Sequence, residues 1–446
     1  MKGKTVGLWA GSALAIAAVS LIAVVGSSRT PTPSALPVPG SSPSSGSAPG
    51  TSLALRDVDG GPDYYGKFAN SLPTDPSFFP LGVWLESVLD KGNTAMDSAA
   101  GINTYVELTG NSDVQLIKDS GMYALPTFRH AAAAGYVLSD EVDMWAGPGD
   151  ARWTGRYPGD GAPCFPEGTP CGYTIQKERR AYAPQNVLLY SNYGKGVTFW
   201  ESDQEAHGFI RGVQDVVSAD NYWFTDPNIC GKGEGGAIVG YARDLTREEC
   251  RLAANYGWTI DRLRNLQDPA TRIPVWAFVE NGHPSGDVPN TTTITGPELK
   301  AAVWSSLIHG ARGIIYFNHN FGGPCVTQHV IRDCGKDIVP TLTSVNKQIT
   351  DLAPVLNAPF LDGATTVTGP VDLATKLHNG HVYIFAGANK NTGGAATFTL
   401  KCGGSTAVVI DENRTIPIVA GTFTDTFADG NAVHLYSIEG GGSCGF

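Results

Sequence analysis

The sequence has few charged residues, and the balance between them is not basic. Charged residues make up 16% of the 446 positions, with 31 Lys and Arg against 42 Asp and Glu, and the formal net charge is -11. No basic block and no nucleic-acid-binding motif is present, so a nucleic-acid partner is not expected. Hydrophobic residues make up 42% of the chain. This content excludes wholesale disorder.

Motifs of two catalytic classes are also missing. The eight cysteines show no CxxC-like spacing near histidines, and His207, His283, His309 and His319 lack the i, i+4 spacing of a zinc-binding helix. No metal and no other cofactor is therefore expected. No Gly-x-Ser-x-Gly sequence occurs, which argues against a serine esterase.

The amino terminus is typical of an export segment. Lys2 and Lys4 precede an apolar run over residues 6–25, and a Ser/Pro/Gly-rich stretch over residues 27–59 predicts a flexible tether. Residues 1–26 fit a cleaved signal peptide, but about 20 apolar residues also suffice for a membrane anchor, and both alternatives stay open. In both cases the rest of the chain lies outside the cytoplasm, secreted or anchored to the cell membrane.

An even number of cysteines in an exported chain favours disulfides over free thiols. Sequence alone allows about 105 pairings of eight cysteines. Most of the cysteines fall in close pairs within Gly/Pro-rich stretches, where a local bridge would hold a long loop. We therefore expect the sequential pairs Cys164 with Cys171, Cys230 with Cys250, Cys325 with Cys334, and Cys402 with Cys444.

Eight short, almost continuously apolar runs alternate with helical patterns between residues 78 and 356. Such runs are typical of strands that are covered on both faces. Helix starts between them carry capping-box sequences at Ser112, Ser202, Thr246 and Thr295. The alternation predicts a (β/α)8 TIM barrel over residues 60–357, in the α/β class. A doubly wound open sheet is the second choice, but the first run is not followed by a Gly-rich phosphate turn. The runs cover residues 80–85, 102–106, 122–126, 135–139, 186–190, 216–220, 274–279 and 313–317.

The pattern changes after residue 357. Short β-type runs separated by Gly, Asn and Asp turns fill the remaining 90 or so positions. They predict a small antiparallel β-sandwich over residues 358–446.

Two glutamates occupy the positions where a parallel barrel carries its active site. Glu141 follows the fourth run and Glu280 ends the seventh. The carboxyl ends of the strands form the catalytic face of such a barrel, and an ionisable group at the end of an apolar run is costly unless it faces a polar pocket. Two facing glutamates are the minimal machinery for cleaving a glycosidic bond, and a separation of about 5 to 5.5 Å between their carboxyls is expected for a retaining enzyme.

This placement resembles the retaining glycoside hydrolases of clan A, such as family 5 and its relatives. The stretches 301–317, 423–427 and 432–436 are similar to bacterial members that carry a trailing β-sandwich. The resemblance implies that Glu141 is the acid/base, that Glu280 is the nucleophile, and that Tyr222 steadies the nucleophile. Two positions depart from the clan, because Asp140 replaces the usual Asn before the acid/base, and the arginine after strand two is missing, for which Arg129 is the substitute we expect.

Further polar and aromatic side chains after the strands are candidates for sugar contacts, because aromatic faces stack on pyranose rings and amides hold hydroxyls. They are Trp84, Glu86, His130, Asn192, Lys195, Asn318 and His319.

The sequence thus predicts an exported retaining glycoside hydrolase that cleaves a β-linked oligo- or polysaccharide. The alternative is a carbohydrate-binding or scaffold protein of the cell envelope that has lost catalysis. The sequence leaves open the identity of the sugar, whether chain ends or internal bonds are cleaved, and the oligomeric state.

Overall fold

The computed structural model describes residues 52–149, 171–334, 336 and 338–446. The apolar run 6–25, most of the Ser/Pro/Gly-rich stretch and Cys164 lie outside the described residues. None of the helices in the described ranges combines the length and hydropathy needed to cross a membrane.

The described chain begins with an edge strand, β1 (Ala54–Arg56), which pairs antiparallel with β10 (Phe360–Asp362). An ion pair of 2.8 Å between Arg56 and Asp362 reinforces the pairing. The tether predicted over residues 27–59 is therefore wrong at its carboxyl end. Three residues carry too short a pattern to predict a strand, and their partner lies 306 positions away.

Eight parallel strands in the described residues form the barrel, and each lies within or overlaps one of the eight predicted runs, which confirms the predicted fold class. Direct ladders join β2 to β3 and β9, β3 to β4, β5 to β6, β6 to β7, and β8 to β9. The amide of Val137 donates to Pro126 across one gap, and a parallel bridge from Val217 to Val275 spans the other. The strands are β2 (Leu81–Glu86), β3 (Thr104–Leu108), β4 (Tyr123–Leu125), β5 (Gly135–Asp140), β6 (Leu188–Tyr193), β7 (Val216–Ala219), β8 (Ala277–Glu280) and β9 (Ile314–Phe317).

Alternate residues along the barrel strands enter two different cores, which explains why the runs read as continuously apolar. On β2, Val83 packs under the outer helices, whereas Trp84 packs inside the barrel with Tyr190 and Trp276. Both faces of each strand are thus withdrawn from water.

Ten α-helices lie in the described residues. Capping boxes are present at Ser202 and Thr246, and at Thr295 the backbone N–H donates to the Glu298 carboxylate over 2.8 Å. The box predicted at Ser112 is wrong, because the neighbouring Asp113 caps α2 instead. The helices are α1 (Lys91–Ala99), α2 (Val114–Asp119), α3 (Val142–Trp145), α4 (Gly172–Tyr182), α5 (Asp203–Ile210), α6 (Arg247–Cys250), α7 (Ala254–Asn265), α8 (Gly296–Ile308), α9 (Val330–Asp333) and α10 (Val339–Leu356).

Antiparallel strands after residue 359 form the predicted sandwich. One sheet has the order β1-β10-β12-β13-β18-β15-β16 and the other β11-β14-β17. The remaining strands are β11 (Thr365–Thr368), β12 (Val371–His378), β13 (His381–Ala388), β14 (Gly394–Leu400), β15 (Thr406–Val409), β16 (Arg414–Pro417), β17 (Thr422–Phe427) and β18 (Val433–Glu439).

The sandwich packs directly on the barrel through α8. Trp304 on α8 contacts Phe385 on β13, with ring centroids 5.3 Å apart. His309 bridges Asp261 and Asp372 at 2.8 and 3.5 Å, and these carboxylates raise its pKa to about 10 against the opposing effect of burial. A continuous apolar core and a cationic bridge therefore join the two parts.

Three disulfides lie wholly within the described residues. Cys230–Cys250 ties the loop after β7, Cys325–Cys334 ties the loop after β9, and Cys402–Cys444 closes the sandwich. Cys171 is also disulfide-bonded. Its expected partner, Cys164, is outside the described residues. The two barrel bridges hold long loops at the carboxyl ends of the strands.

Candidate active site

Glu141 stands at the point where β5 turns into α3. Its backbone is left-handed, with φ of 46°, and its N–H donates to the Asn192 carbonyl at the end of β6 over 3.0 Å. Burial raises the pKa of the Glu141 carboxyl well above its usual value, and the charges of Asp220, Asp140 and Asp143 raise it further. Glu141 also shares a side-chain hydrogen bond with Asp220. These surroundings favour the protonated acid.

Glu280 ends β8 and is fully buried. Its Oε1 accepts from the Phe224 amide at 3.1 Å and from the Thr225 hydroxyl at 3.4 Å, and its Oε2 accepts from the Tyr256 hydroxyl at 2.5 Å. Burial raises the pKa of Glu280 to about 7, although the Tyr256 and Phe224 donors act to lower it. Donors on both oxygens hold the carboxylate in one orientation and stabilise its charge.

Tyr222 lies close enough to both glutamates to interact electrostatically with each. Its ring contacts Phe278 and Phe317, and its hydroxyl donates to Asp220 over 3.3 Å. Burial raises the pKa of Tyr222 well above its usual value, and the charges of Asp220, Glu141, Asp140 and Glu280 add to the effect. These carboxyls from β5, β7 and β8 therefore face one phenol.

The hydrogen bond to Glu280 that the resemblance implies for Tyr222 is made by another tyrosine, Tyr256. The Tyr222 hydroxyl donates to Asp220, whereas Tyr256 on α7 donates to Glu280. The reason is topological, since Tyr222 begins the loop after β7 beside Asp220, while α7 passes behind Glu280. Tyr256 lies on a helix and not at the end of a strand, so the sequence pattern did not indicate that it contacts Glu280.

Asp140 and Asn192 form the polar floor beside Glu141. The Asn192 amide donates to Asp140 over 3.0 Å, and the Ser218 hydroxyl donates to the Asn192 oxygen over 2.6 Å. Burial raises the pKa of Asp140 to about 6. An amide from the neighbouring strand thus lies beside Asp140.

Glu107 adds a further carboxyl at the end of β3. Its backbone is left-handed, with φ of 54°, and its Oε2 is buried without a hydrogen-bond partner among the described residues. Burial, and then the charge of Asp140, raise its pKa to about 8, against the opposing effect of Arg179.

Three of the residues predicted to contact sugar make other contacts in the structure. Trp84 is 3% exposed and fills the barrel interior. Glu86 is fully buried and bonded to His329 at 2.6 Å and Arg332 at 3.0 Å, and Asn318 donates to Glu86 while accepting from the Ile331 amide. These contacts anchor the loop after β9, and the subsite roles of Trp84, Glu86 and Asn318 stay predictions.

Arg129 and His130 lie away from the two glutamates. Arg129 donates to the carbonyl of Tyr182 at the end of α4, which precedes β6, and Ala131 beside it accepts from Asn70. His130 is exposed and accepts from the Ala132 amide. The chain between β4 and β5 contains no helix and returns directly to the amino-terminal side of the barrel. The contact that Arg129 makes is with α4, and its role as the substitute arginine stays a prediction.

Lys195 and His319 have defined positions at the rim. Lys195 pairs with Asp226 at 2.7 Å and Glu234 at 2.8 Å, which fastens the loop after β7 to the end of β6. The His319 ring bonds to the Leu85 carbonyl, and burial lowers its pKa to about 4, so the imidazole is neutral at pH 7. Within the described ranges no group of three His, Cys, Asp or Glu residues is arranged to hold a metal ion.

Comparison with known proteins shows only distant similarity. No protein-family profile and no curated protein sequence matches the chain. A glycoside hydrolase family 5 structure from Bacteroides vulgatus is similar over 81% of this chain and 89% of its own, at 12% identity and a TM-score of 0.46. A GH30 endoxylanase from Clostridium papyrosolvens is similar over 81% and 96%, at 12% and 0.35, and an Anoxybacillus α-amylase over 82% and 98%, at 10% and 0.43. At these values the similarities carry no argument about activity.

Proposed function

We propose that this protein is a retaining glycoside hydrolase that cleaves a β-linked glycan by double displacement. The observation that carries the proposal is the contrast between the surroundings of two glutamates at the carboxyl ends of β5 and β8. Acidic neighbours surround Glu141, whereas three donors hold Glu280. Opposite environments for two carboxyls are what an acid and a nucleophile require.

In the first step, the ionised Glu280 attacks the anomeric carbon while Glu141 gives its proton to the departing glycosidic oxygen. The carbon–oxygen bond to the leaving group breaks as the ester bond to Glu280 forms. Glu141, now ionised, then takes a proton from water, which attacks the same carbon and releases Glu280. Two inversions give net retention.

The acidic character of the site favours an uncharged glycan. Glu107, Asp140, Glu141, Asp220 and Glu280 lie at or directly after the ends of four barrel strands. A uronic acid or a sulfated sugar would meet repulsion from those of these carboxyls that are ionised, in a partly desolvated pocket. Sugar hydroxyls, by contrast, are donors that carboxyl oxygens accept.

Export of the protein is part of the proposal and is supported by the cysteines. Bridges at Cys230–Cys250, Cys325–Cys334 and Cys402–Cys444 persist in oxidising compartments. The amino-terminal apolar run would deliver the chain there, by cleavage or as a membrane anchor.

Chemical rescue of two alanine variants tests the mechanism. Glu280→Ala should lower turnover by on the order of 10⁴-fold or more, and azide should restore activity with an inverted glycosyl azide. Glu141→Ala should lose about 10²- to 10⁴-fold on poor leaving groups, keep glycosylation by activated aryl glycosides, and give a retained azide product. If wild-type protein binds glycans without turnover of any aryl glycoside or polysaccharide, the carbohydrate-binding alternative replaces the enzyme.

A further inference from the structure

Two large aromatic side chains stay exposed on opposite sides of the barrel mouth. Trp145 is 37% exposed and ends α3, directly after the fourth barrel strand. Phe321 is 41% exposed and follows the eighth strand by four residues. The fourth and eighth strands of an eight-stranded barrel face each other across its axis. The two rings therefore flank the site that contains Glu141 and Glu280.

Trp145 is held in place although it is exposed. Its indole N–H donates to the Asp140 carbonyl over 2.9 Å, and the guanidinium of Arg179 lies 5.6 Å from the ring centre. Its own backbone N–H donates to the Glu141 carbonyl over 3.3 Å. An immobilised ring loses little conformational entropy when a ligand stacks on it. The position also places this ring beside the proposed acid.

Phe321 ends a row of rings that starts at the site. Tyr222, near both glutamates, lies 5.2 Å from Phe317, which lies 5.2 Å from His319 and 6.4 Å from Phe321. The Phe321 amide donates to the His283 carbonyl over 3.0 Å, which fixes the backbone there. Phe317 and His319 are buried, so the row forms a continuous aromatic support beneath the barrel mouth that leads to the exposed Phe321 at its edge.

We propose that Trp145 and Phe321 are the two ends of a glycan-binding cleft, so that the enzyme cleaves internal bonds of an uncharged β-linked polysaccharide. This inference rests on the proposed function. Trp145 stacks on a sugar of the leaving-group side, because Glu141 protonates the oxygen of that sugar. Phe321 stacks on a sugar of the opposite, glycone side. Pyranose rings have apolar C–H faces that match exposed aromatic rings, and a chain that extends past both ends of the site cannot be bound by its terminus alone.

The test compares Trp145→Ala, Phe321→Ala and the control Tyr182→Ala. Tyr182 is 73% exposed at the end of α4, away from the two glutamates. Soluble xylan, barley β-glucan and galactomannan are the probes, in gel retardation and in turnover, followed by end-labelled oligosaccharides of the polymer that reacts. Wild type should release internal fragments, and each platform variant should lose roughly 10-fold in kcat/KM on long chains, with Tyr182→Ala unchanged.

The two platforms should also differ from each other. Trp145→Ala should reduce transfer of the glycosyl group to an added oligosaccharide acceptor relative to water, because the acceptor occupies the leaving-group side. Phe321→Ala should instead move the main cleavage position along end-labelled oligosaccharides. A purely structural loss would change neither ratio.

The outcomes separate the inference from the proposed function. Turnover that releases only terminal sugars, or platform variants that match wild type on long chains, would overturn the cleft and leave the glycosidase intact. A wild-type protein that neither retards on nor cleaves the three polymers, and cleaves no aryl glycoside, would overturn both.

Discussion

The Tyr256 hydroxyl donates a hydrogen bond to Oε2 of Glu280 over 2.5 Å. Tyr256 comes from the outer helix α7 and Glu280 from the barrel strand β8. The contact links the outer layer of helices to the carboxylate that we propose as nucleophile. It lowers the pKa of Glu280, which burial alone would raise further.

Tyr256→Phe removes this donor and should raise the pKa of Glu280. The nucleophile works when it is ionised, so the ascending limb of the kcat/KM profile, expected near pH 7, should move to higher pH. A loss of about 10- to 100-fold in kcat/KM below pH 7 follows from the lost hydrogen bond to a charged group, worth about 1.5 to 3 kcal/mol. The measurement is a pH–rate profile.

Tyr316→Phe is the matched control for this change. Tyr316 is also buried and makes a hydroxyl contact of 2.7 Å, but with Asn346 on α10. It should cost stability without moving the limb. Equal shifts in the two variants would mean that Tyr256 acts through packing alone.

Asp220→Asn should shift the descending, alkaline limb of the same pH–rate profile. Asp220, Asp140 and Asp143 face Glu141 and all raise its pKa, and Asp220 also bonds to it. Removing one negative charge should lower the pKa of Glu141, so activity should be lost at a lower pH on the alkaline side. Asp362→Asn in the sandwich should leave both limbs in place. An unchanged alkaline limb in Asp220→Asn would show that another group sets it.

Stability should fall as the pH rises from 5 to 8. Folding raises the pKa of Glu107 to about 8, of Asp220 to about 7 and of Asp140 to about 6, above the values of about 4 in unfolded chains. The folded state therefore binds more protons in this window, and the free energy of unfolding decreases with pH. His319, His378 and Lys376 have the opposite sign, because burial lowers their pKa values, but the buried carboxyls with raised pKa values outnumber them.

Glu107→Gln should make that decrease smaller, because it removes one buried ionisation. Urea unfolding of both proteins at pH 5 and pH 8 measures the difference. An identical pH dependence in the variant would mean that Glu107 is already ionised at pH 5.

Removing either of two disulfides should lower stability, but only one of the two removals should also lower activity. The bridge Cys230–Cys250 spans 20 residues and Cys402–Cys444 spans 42, so removing them by paired alanine substitution should cost about 3 and about 4 kcal/mol on loop closure alone. The first bridge ties the loop after β7, and the donors Phe224 and Thr225 lie in the same loop, ahead of Cys230. Its loss should also lower kcat/KM, whereas loss of the sandwich bridge should lower only the unfolding midpoint. Equal activity losses would contradict this division.

Much of the fold could be predicted from local patterns in the sequence. The eight runs, three of the helix starts and the sandwich were predictable, because strands covered on both faces and capped helices leave periodic signals in short windows. Strand β1 and the direct return from β4 to β5 were not. Strand β1 depends on a partner 306 residues away. The return from β4 to β5 depends on the tertiary arrangement of the loop between these strands.

The candidate site divides in the same way. The sequence by itself determined that Glu141 and Glu280 end strands of one sheet, because the periodicity of each strand places its last residue at the catalytic face. Only the tertiary structure decided what surrounds them. Tyr256 and Glu107 became neighbours of the site through packing, and Glu86 was withdrawn into an ion pair with Arg332. Hydrogen bonds and charge interactions depend on distances of a few ångströms between elements far apart in the chain, and no local pattern records those distances.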